Sequence, residues 1–284
     1  MRKKGKHIAI EVQLYRRRRM IYISPPFGNY ISLKGCTSIL GTYTYFRRKG
    51  LIKQIIKTLR PVGGGWRNSI GLRNKGIINI TAYDPDKVYS VCALKNTPNR
   101  HDLPPHMSRY LWDSILDAVP SYVPIELNIG CPNVTDMAEI SEFQLGSYIK
   151  KFKNLTVKVP PTVMPQYIDE LYHMGIKRFH LSNTLPVQQY RDSGIIRYGV
   201  SGYPLKEKNL LLIEMIRRLD MKGVSIIAGG GIYTPKDVQD YHDVGATDYS
   251  LSTIFFTPWR VPKVIKAIQS VKSSRWGYPS TYME

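Results

Sequence analysis

Cysteine is scarce in this chain: among 284 residues only Cys36, Cys92 and Cys131 occur. Three, so widely scattered, cannot make a disulfide framework or a tetrahedral zinc site. No metal is therefore expected, and the sparse cysteine points to a reducing compartment, the cytoplasm. No apolar run is long enough to cross a bilayer. Internal repeats, low-complexity tracts and domain linkers are also missing. Acidic residues are few, 21 against 41 Lys and Arg, which leaves a formal charge of +20. The excess gathers early, in Arg2, Lys3, Lys4, Lys6, Arg16–Arg19, Arg47, Arg48 and Lys49. Such a field attracts nucleic acid, anionic membrane or acidic small molecules. A polyanion or nucleic-acid partner on the N-terminal third is one expectation; a merely solvated basic face is the other.

What is present reads as one large domain, since α/β barrels commonly run to about 250 residues in a single unit. At the N-terminus His7–Tyr15 alternates, Arg16–Arg19 can turn and Met20–Ser24 alternates again. A basic β-hairpin over residues 1–24 is the better reading of this segment than a transit peptide. Residues 25–284 then show short β-branched runs alternating with amphipathic stretches, the pattern of βα units. Strands are expected at Phe27–Ile31, Thr37–Tyr43, Val88–Leu94, Ile125–Ile129, Leu155–Val159, Lys177–Leu181, Val224–Ala228 and Thr247–Leu251. Helices are expected at Leu51–Leu59, His106–Val119, Ala138–Phe152, Pro165–Met174, Lys206–Leu219, Pro235–Asp243 and Pro258–Val271. Thr234 followed by Pro235 marks a helix start, and Gly175 and Gly245 mark helix ends. Eight strands imply a (β/α)8 TIM barrel. Only Ser32–Cys36 separate the first two expected strands, too few for a helical crossover. The first barrel helix is therefore expected to be short or missing. Pro61–Asn74, rich in glycine, is expected as a long loop on the active-site side.

In such a barrel chemistry collects at the strand ends. Asn128, Cys131 and Asn133 follow the fourth strand; buried amides in apolar company need partners. Lys158 ends the fifth strand between valines, either aimed at the barrel mouth or snorkelling to solvent. Asn183 and Thr184 end the sixth, where the plain alternative is a turn. Gly199–Gly202, Gly229–Gly231 and Ser250–Thr253 fall where backbone amides beside helix starts form anion nests. Phosphate sites after the last two strands are a habit of this fold.

The order and spacing of Asn68–Asn74, Asn128–Asn133, Lys158–Pro161, Ser182–Thr184, Gly199–Gly202 and Gly229–Gly231 resemble dihydroorotate dehydrogenases, from about Pro25 to Val271. Cysteine at 131 is similar to the cysteine-based soluble class. The resemblance implies FMN as cofactor, dihydroorotate oxidation to orotate in pyrimidine biosynthesis, and a homodimer. It implies that Asn68, Ile70, Gly71, Leu72, Asn128, Asn133, Asn183 and Thr184 hold the substrate ring and carboxylate. Cys131 would be the base. Lys158 would face the flavin edge where charge collects on reduction, and Gly202, Gly230, Gly231, Ser252 and Thr253 would hold the flavin and its phosphate. The soluble class implies fumarate as electron acceptor. Two departures stand out. Gly41 falls where the family has a lysine in strand two, and Tyr30 falls where it has small residues. They point to impaired catalysis and a reading of the chain as a basic structural or nucleic-acid-associated subunit. A tRNA dihydrouridine synthase-like enzyme is a further alternative. Weak activity, improved by Gly41→Lys, is the expectation that follows from the missing cation.

Overall fold

The computed structural model describes residues 19–95, 111–131, 137–191 and 194–271. The first arm of the expected hairpin, Arg16–Arg18 and the start of the helix expected at His106 lie outside these residues. Eight parallel strands close into a barrel in the order β1 (Ile21–Ile23), β2 (Thr37–Tyr43), β5 (Val88–Val91), β6 (Ile125–Asn128), β7 (Leu155–Val159), β8 (Arg178–Leu181), β11 (Ser225–Gly229) and β12 (Asp248–Leu251), with β12 returning to β1. Helices α2 (Leu111–Ala118), α3 (Glu142–Lys151), α4 (Pro165–His173), α5 (Lys206–Arg217), α6 (Pro235–Asp243) and α7 (Val261–Ser270) follow the third to eighth barrel strands. The expected (β/α)8 class and its missing first helix are both found, because between β1 and β2 there is only a 3-10 turn at Phe27–Asn29.

Strand one itself differs from the sequence reading. The segment expected as its core, Phe27–Ile31, forms that 3-10 turn, and Ile21–Ile23, assigned to the hairpin, is the barrel strand. The barrel therefore starts before residue 25. Pro25 and Pro26 end β1, since neither can donate to a ladder. Gly28 then packs under the turn so closely that a Cβ there would lie 2.2 Å from Ile39 O and 2.4 Å from Ile23 O.

The expected loop Pro61–Asn74 contains β3 (Arg60–Val62) and β4 (Gly65–Asn68). These join β10 (Gly194–Gly202) and β9 (Leu185–Arg191) in a four-stranded antiparallel sheet, ordered β3-β4-β10-β9. The pairing Asn68↔Gly199 fixes its register. Before β3 lies α1 (Leu51–Thr58), none of whose residues is buried. Its apolar Leu51 and Ile55 line a cavity at the barrel mouth instead of packing as a barrel helix.

Local signals set the helix starts. Ser141 and Gln144 form a reciprocal capping box, so α3 begins at Glu142 and not at the expected Ala138. Thr234 and Asp237 form another at α6, whose bounds match the expectation. At the barrel floor the Asp248 carboxylate accepts from Met20 N at 2.8 Å and Ser225 Oγ at 2.9 Å and faces Arg178 at 3.8 Å. That ties β1 to the opposite side of the closure. Among the described residues no helix is long and apolar enough to cross a membrane.

Candidate functional site

A cavity of about 400 Å³ opens at the C-terminal ends of the barrel strands. This lies in the range of small-molecule sites. Every described residue singled out from the sequence as a site residue lines it. Asn128 and Cys131 come from the end of β6, Lys158 from β7, and Asn183 and Thr184 from the end of β8. Gly202, Gly230, Gly231, Ser252 and Thr253 come from the ends of β10, β11 and β12. Asn68, Ile70, Gly71 and Leu72 come from the second sheet and the loop behind it. Asn133 lies outside the described residues.

The amides form one network. Asn183 Nδ2 donates to Asn128 Oδ1 at 2.9 Å and to Gly130 O at 2.9 Å. Asn128 Nδ2 donates to Thr42 Oγ1 at 3.1 Å, and Thr42 meets Ser90 Oγ at 3.0 Å. Each buried amide is thus held by a neighbour, as burial demands. Thr184 Oγ1 is buried without a hydrogen-bond partner, so a polar atom in the cavity would complete it. Cys131 is only 5% exposed at the same rim.

Lys158 does not snorkel. It is buried, with Nζ 3.9 Å from Glu126 Oε1. The other oxygen, Glu126 Oε2, lies 2.6 Å from His180 Nδ1, and both residues are fully buried. Burial by itself would raise the Glu126 carboxyl, but the Lys158 ammonium and His180 outweigh it and hold it near 2. His180 lies below its ordinary 6.5, through burial and the Lys158 charge. The arrangement is therefore an ionised carboxylate between an ammonium and a neutral imidazole. Sequence reasoning missed Glu126 and His180. The available signal was a charged residue at alternate positions of adjacent apolar strands, with Glu126, Lys158 and His180 all in the barrel interior.

At the opposite arc of the rim, Gly230 and Gly231 have φ of +84° and +73°. Their turn carries the chain against α5, where a Cβ on Gly230 would lie 2.9 Å from Leu205 Cβ. Tyr233 Oη donates to Thr253 Oγ1 at 2.7 Å. The backbone of Gly230 and Gly231 and the hydroxyl residues Ser252 and Thr253 meet at this wall of the cavity, a composition that suits a phosphate group.

The strand-two position behaves otherwise than expected. Gly41 has φ +104°, and an added Cβ would lie 2.5 Å from Ser90 O and 2.6 Å from Tyr43 N. The Asn29 side chain occupies its edge, accepting from Gly41 N at 2.9 Å and donating to Gly41 O at 3.0 Å. Gly41→Lys therefore cannot restore a cation. Of the cations in the neighbouring loops, Arg73 lines the cavity, whereas Lys34 and Arg47 do not. Tyr30 stands at the mouth 73% exposed and does not fill the interior.

Comparison with known proteins agrees with this architecture. The family model for dihydroorotate dehydrogenase matches residues 36–271. Dihydroorotate dehydrogenase (quinone) of Pseudarthrobacter chlorophenolicus is 27% identical over 41% of this chain and 34% of its own length. The catalytic subunit of dihydroorotate dehydrogenase B (NAD(+)) of Staphylococcus carnosus is 28% identical over 72% of this chain and 70% of its own. The matched segment thus spans about a third of the first relative. Among solved structures, an Eimeria tenella dihydroorotate dehydrogenase crystallised with ferulenol superposes with a TM-score of 0.62 at 15% identity, covering 87% of this chain and 80% of that one. That likeness shows the shared barrel. With the family model running over most of the barrel and its site loops, the chain belongs to the dihydroorotate dehydrogenase family.

Proposed function

We propose that this chain binds FMN and oxidises dihydroorotate to orotate in pyrimidine biosynthesis. The carrying observation is that one cavity gathers Cys131 and the linked amides of Asn128 and Asn183 on one arc, and the glycine and hydroxyl residues after β11 and β12 on the other, over Lys158. The residues present fit the cofactor. Gly230, Gly231, Ser252 and Thr253 would hold its phosphate and Gly202 its flank, while the buried Lys158 supplies a fixed cation. FMN, when bound, supplies the hydride acceptor. The chain's own part is to hold the ring through Asn68, the Ile70–Leu72 main chain, Asn128, Asn133, Asn183 and Thr184, and to remove a proton from the ring carbon at Cys131 Sγ. A positioned base of this kind contributes about 10²–10⁴-fold. Arg73 takes the place of the strand-two cation toward the substrate carboxylate. A fixed positive charge from Lys158 favours the reduced, anionic cofactor.

The electron acceptor is not distinguished by the relatives, whose names give a quinone in one case and NAD(+) in the other. A cytoplasmic homodimer is part of the same reading. The test is the absorption spectrum of the purified protein, followed by anaerobic addition of dihydroorotate. A flavin spectrum that bleaches supports the reading. A yellow protein that stays oxidised supports the catalytically impaired alternative, which the cation-free β2 favours.

A further inference from the structure

Beside the ring end of the cavity lies a second cleft of about 610 Å³. Among the described residues its charged lining consists of Arg47, Arg48, Lys49, Lys53, Arg73 and Lys75, without a carboxylate. Backbone pairing joins the two segments that carry most of these cations. Arg48 N donates to Asn74 O at 2.8 Å, and Asn74 N returns the bond to Arg48 O at 3.1 Å. Arg73 Nη1 donates to Lys49 O at 3.2 Å. Among the described residues Arg47, Lys49, Lys53 and Lys75 form no ion pair. The same wall carries the start of α1, where Gly50 at φ +91° provides no side-chain cap and the first turn holds no acid. The start of α1 and six residues of like charge line one space, an arrangement that an entering polyanion relieves.

The cleft is not separate from the ring site. Asn29, Tyr30, Gly41, Leu51 and Arg73 line both. Arg73 Nε is buried with no hydrogen-bond partner at this junction. Dihydroorotate carries a single carboxylate, which Arg73 alone can meet. The remaining cations have no counterpart in such a substrate.

We propose that the cleft is a phosphate subsite continuous with the ring site, so that beside dihydroorotate the site admits a pyrimidine ring carrying phosphate, as a free nucleotide or as a unit of a strand. This rests on the placement of the ring at Asn128, Cys131 and Asn183. The probes are inorganic pyrophosphate, orotate, orotidine 5′-monophosphate and a short oligouridylate, titrated by calorimetry into the full-length flavin-loaded protein. Pyrophosphate should bind at low salt, and orotidine monophosphate should bind at least about tenfold more tightly than orotate. Lys49→Ala with Lys53→Ala should abolish that preference and leave orotate affinity and flavin content unchanged. Raising salt from about 50 to 200 mM should also shrink it by about tenfold or more, as loss of several phosphate contacts requires. Tighter binding of the oligomer than of the mononucleotide assigns the phosphate to a strand; equal or weaker binding assigns it to a free nucleotide. Equal affinities for orotate and its nucleotide overturn the proposal, as does a preference that survives the double variant. Binding to anionic vesicles but to no soluble phosphate overturns it too. A colourless protein that still binds pyrophosphate sinks the flavin reading and leaves the phosphate site standing; a yellow protein blind to pyrophosphate does the reverse.

Discussion

Glu126→Gln is the most informative single change. Glutamine keeps the shape and can still accept from His180, but it leaves the Lys158 ammonium buried without a counter-charge. At 3.9 Å and an effective dielectric near 20, the lost attraction is about 4 kcal/mol. The Glu126 carboxyl is held below its ordinary 4.5, near 2, by Lys158, His180 and Ser90 together against the cost of burial, so its ionised form stabilises the fold in the same sense. Removing one member of a buried pair costs about 3–5 kcal/mol in general. We therefore expect urea unfolding at neutral pH to show a loss of about 3 kcal/mol. The pH profile supplies an independent check. Between about 4.5 and 2 the unfolded chain binds the Glu126 proton and the folded one does not, so this contribution is whole above 4.5 and is lost as pH falls toward 2. His180, also lowered, adds loss of stability of the same sign as pH drops below about 6.5. The variant should keep the His180 limb and lose the Glu126 limb. Stability within about 0.5 kcal/mol of the parent, with an unchanged acid limb, would refute an ionised Glu126 paired with Lys158.

Gly41→Lys should not improve orotate binding; it should destabilise the barrel by at least about 2 kcal/mol, because φ +104° and the 2.5 Å approach to Ser90 O both oppose a side chain. Thermal melting beside an orotate titration checks this, and a stable variant with tighter orotate binding would show that the strand can rearrange. Cys131→Ala should retain flavin while its reduction by dihydroorotate slows by at least about 10²-fold in stopped flow; an unchanged rate makes Cys131 a core thiol. Ser252→Asp, with no glycine disturbed, should place a carboxylate at the phosphate site and empty the protein of flavin, its melt matching that of the flavin-stripped parent. Stoichiometric flavin in that variant would move the phosphate elsewhere.

Some of this protein is local and was legible in its residues. β2 and β7 match their expected bounds because alternating or continuous β-branched runs need no distant partner to be recognised. The α6 start is written in Thr234, Pro235 and Asp237. The clustering of Asn128, Cys131, Lys158, Asn183 and the glycines followed from a single inference, because strand ends of a closed barrel share one rim. Other features exist only through contacts distant in sequence. Ile21–Ile23 is a barrel strand because β12 and β2 flank it, and Pro25–Pro26 end it. The second sheet joins Asn68 to Gly199 across the chain, so neither half reads as a strand by itself. Glu126 and His180 sit in strands that look merely interrupted, until barrel closure points both inward and desolvation forces them to pair. Gly41 reads as a missing lysine in one dimension; in three it is a position where Ser90 O and Tyr43 leave room for hydrogen alone.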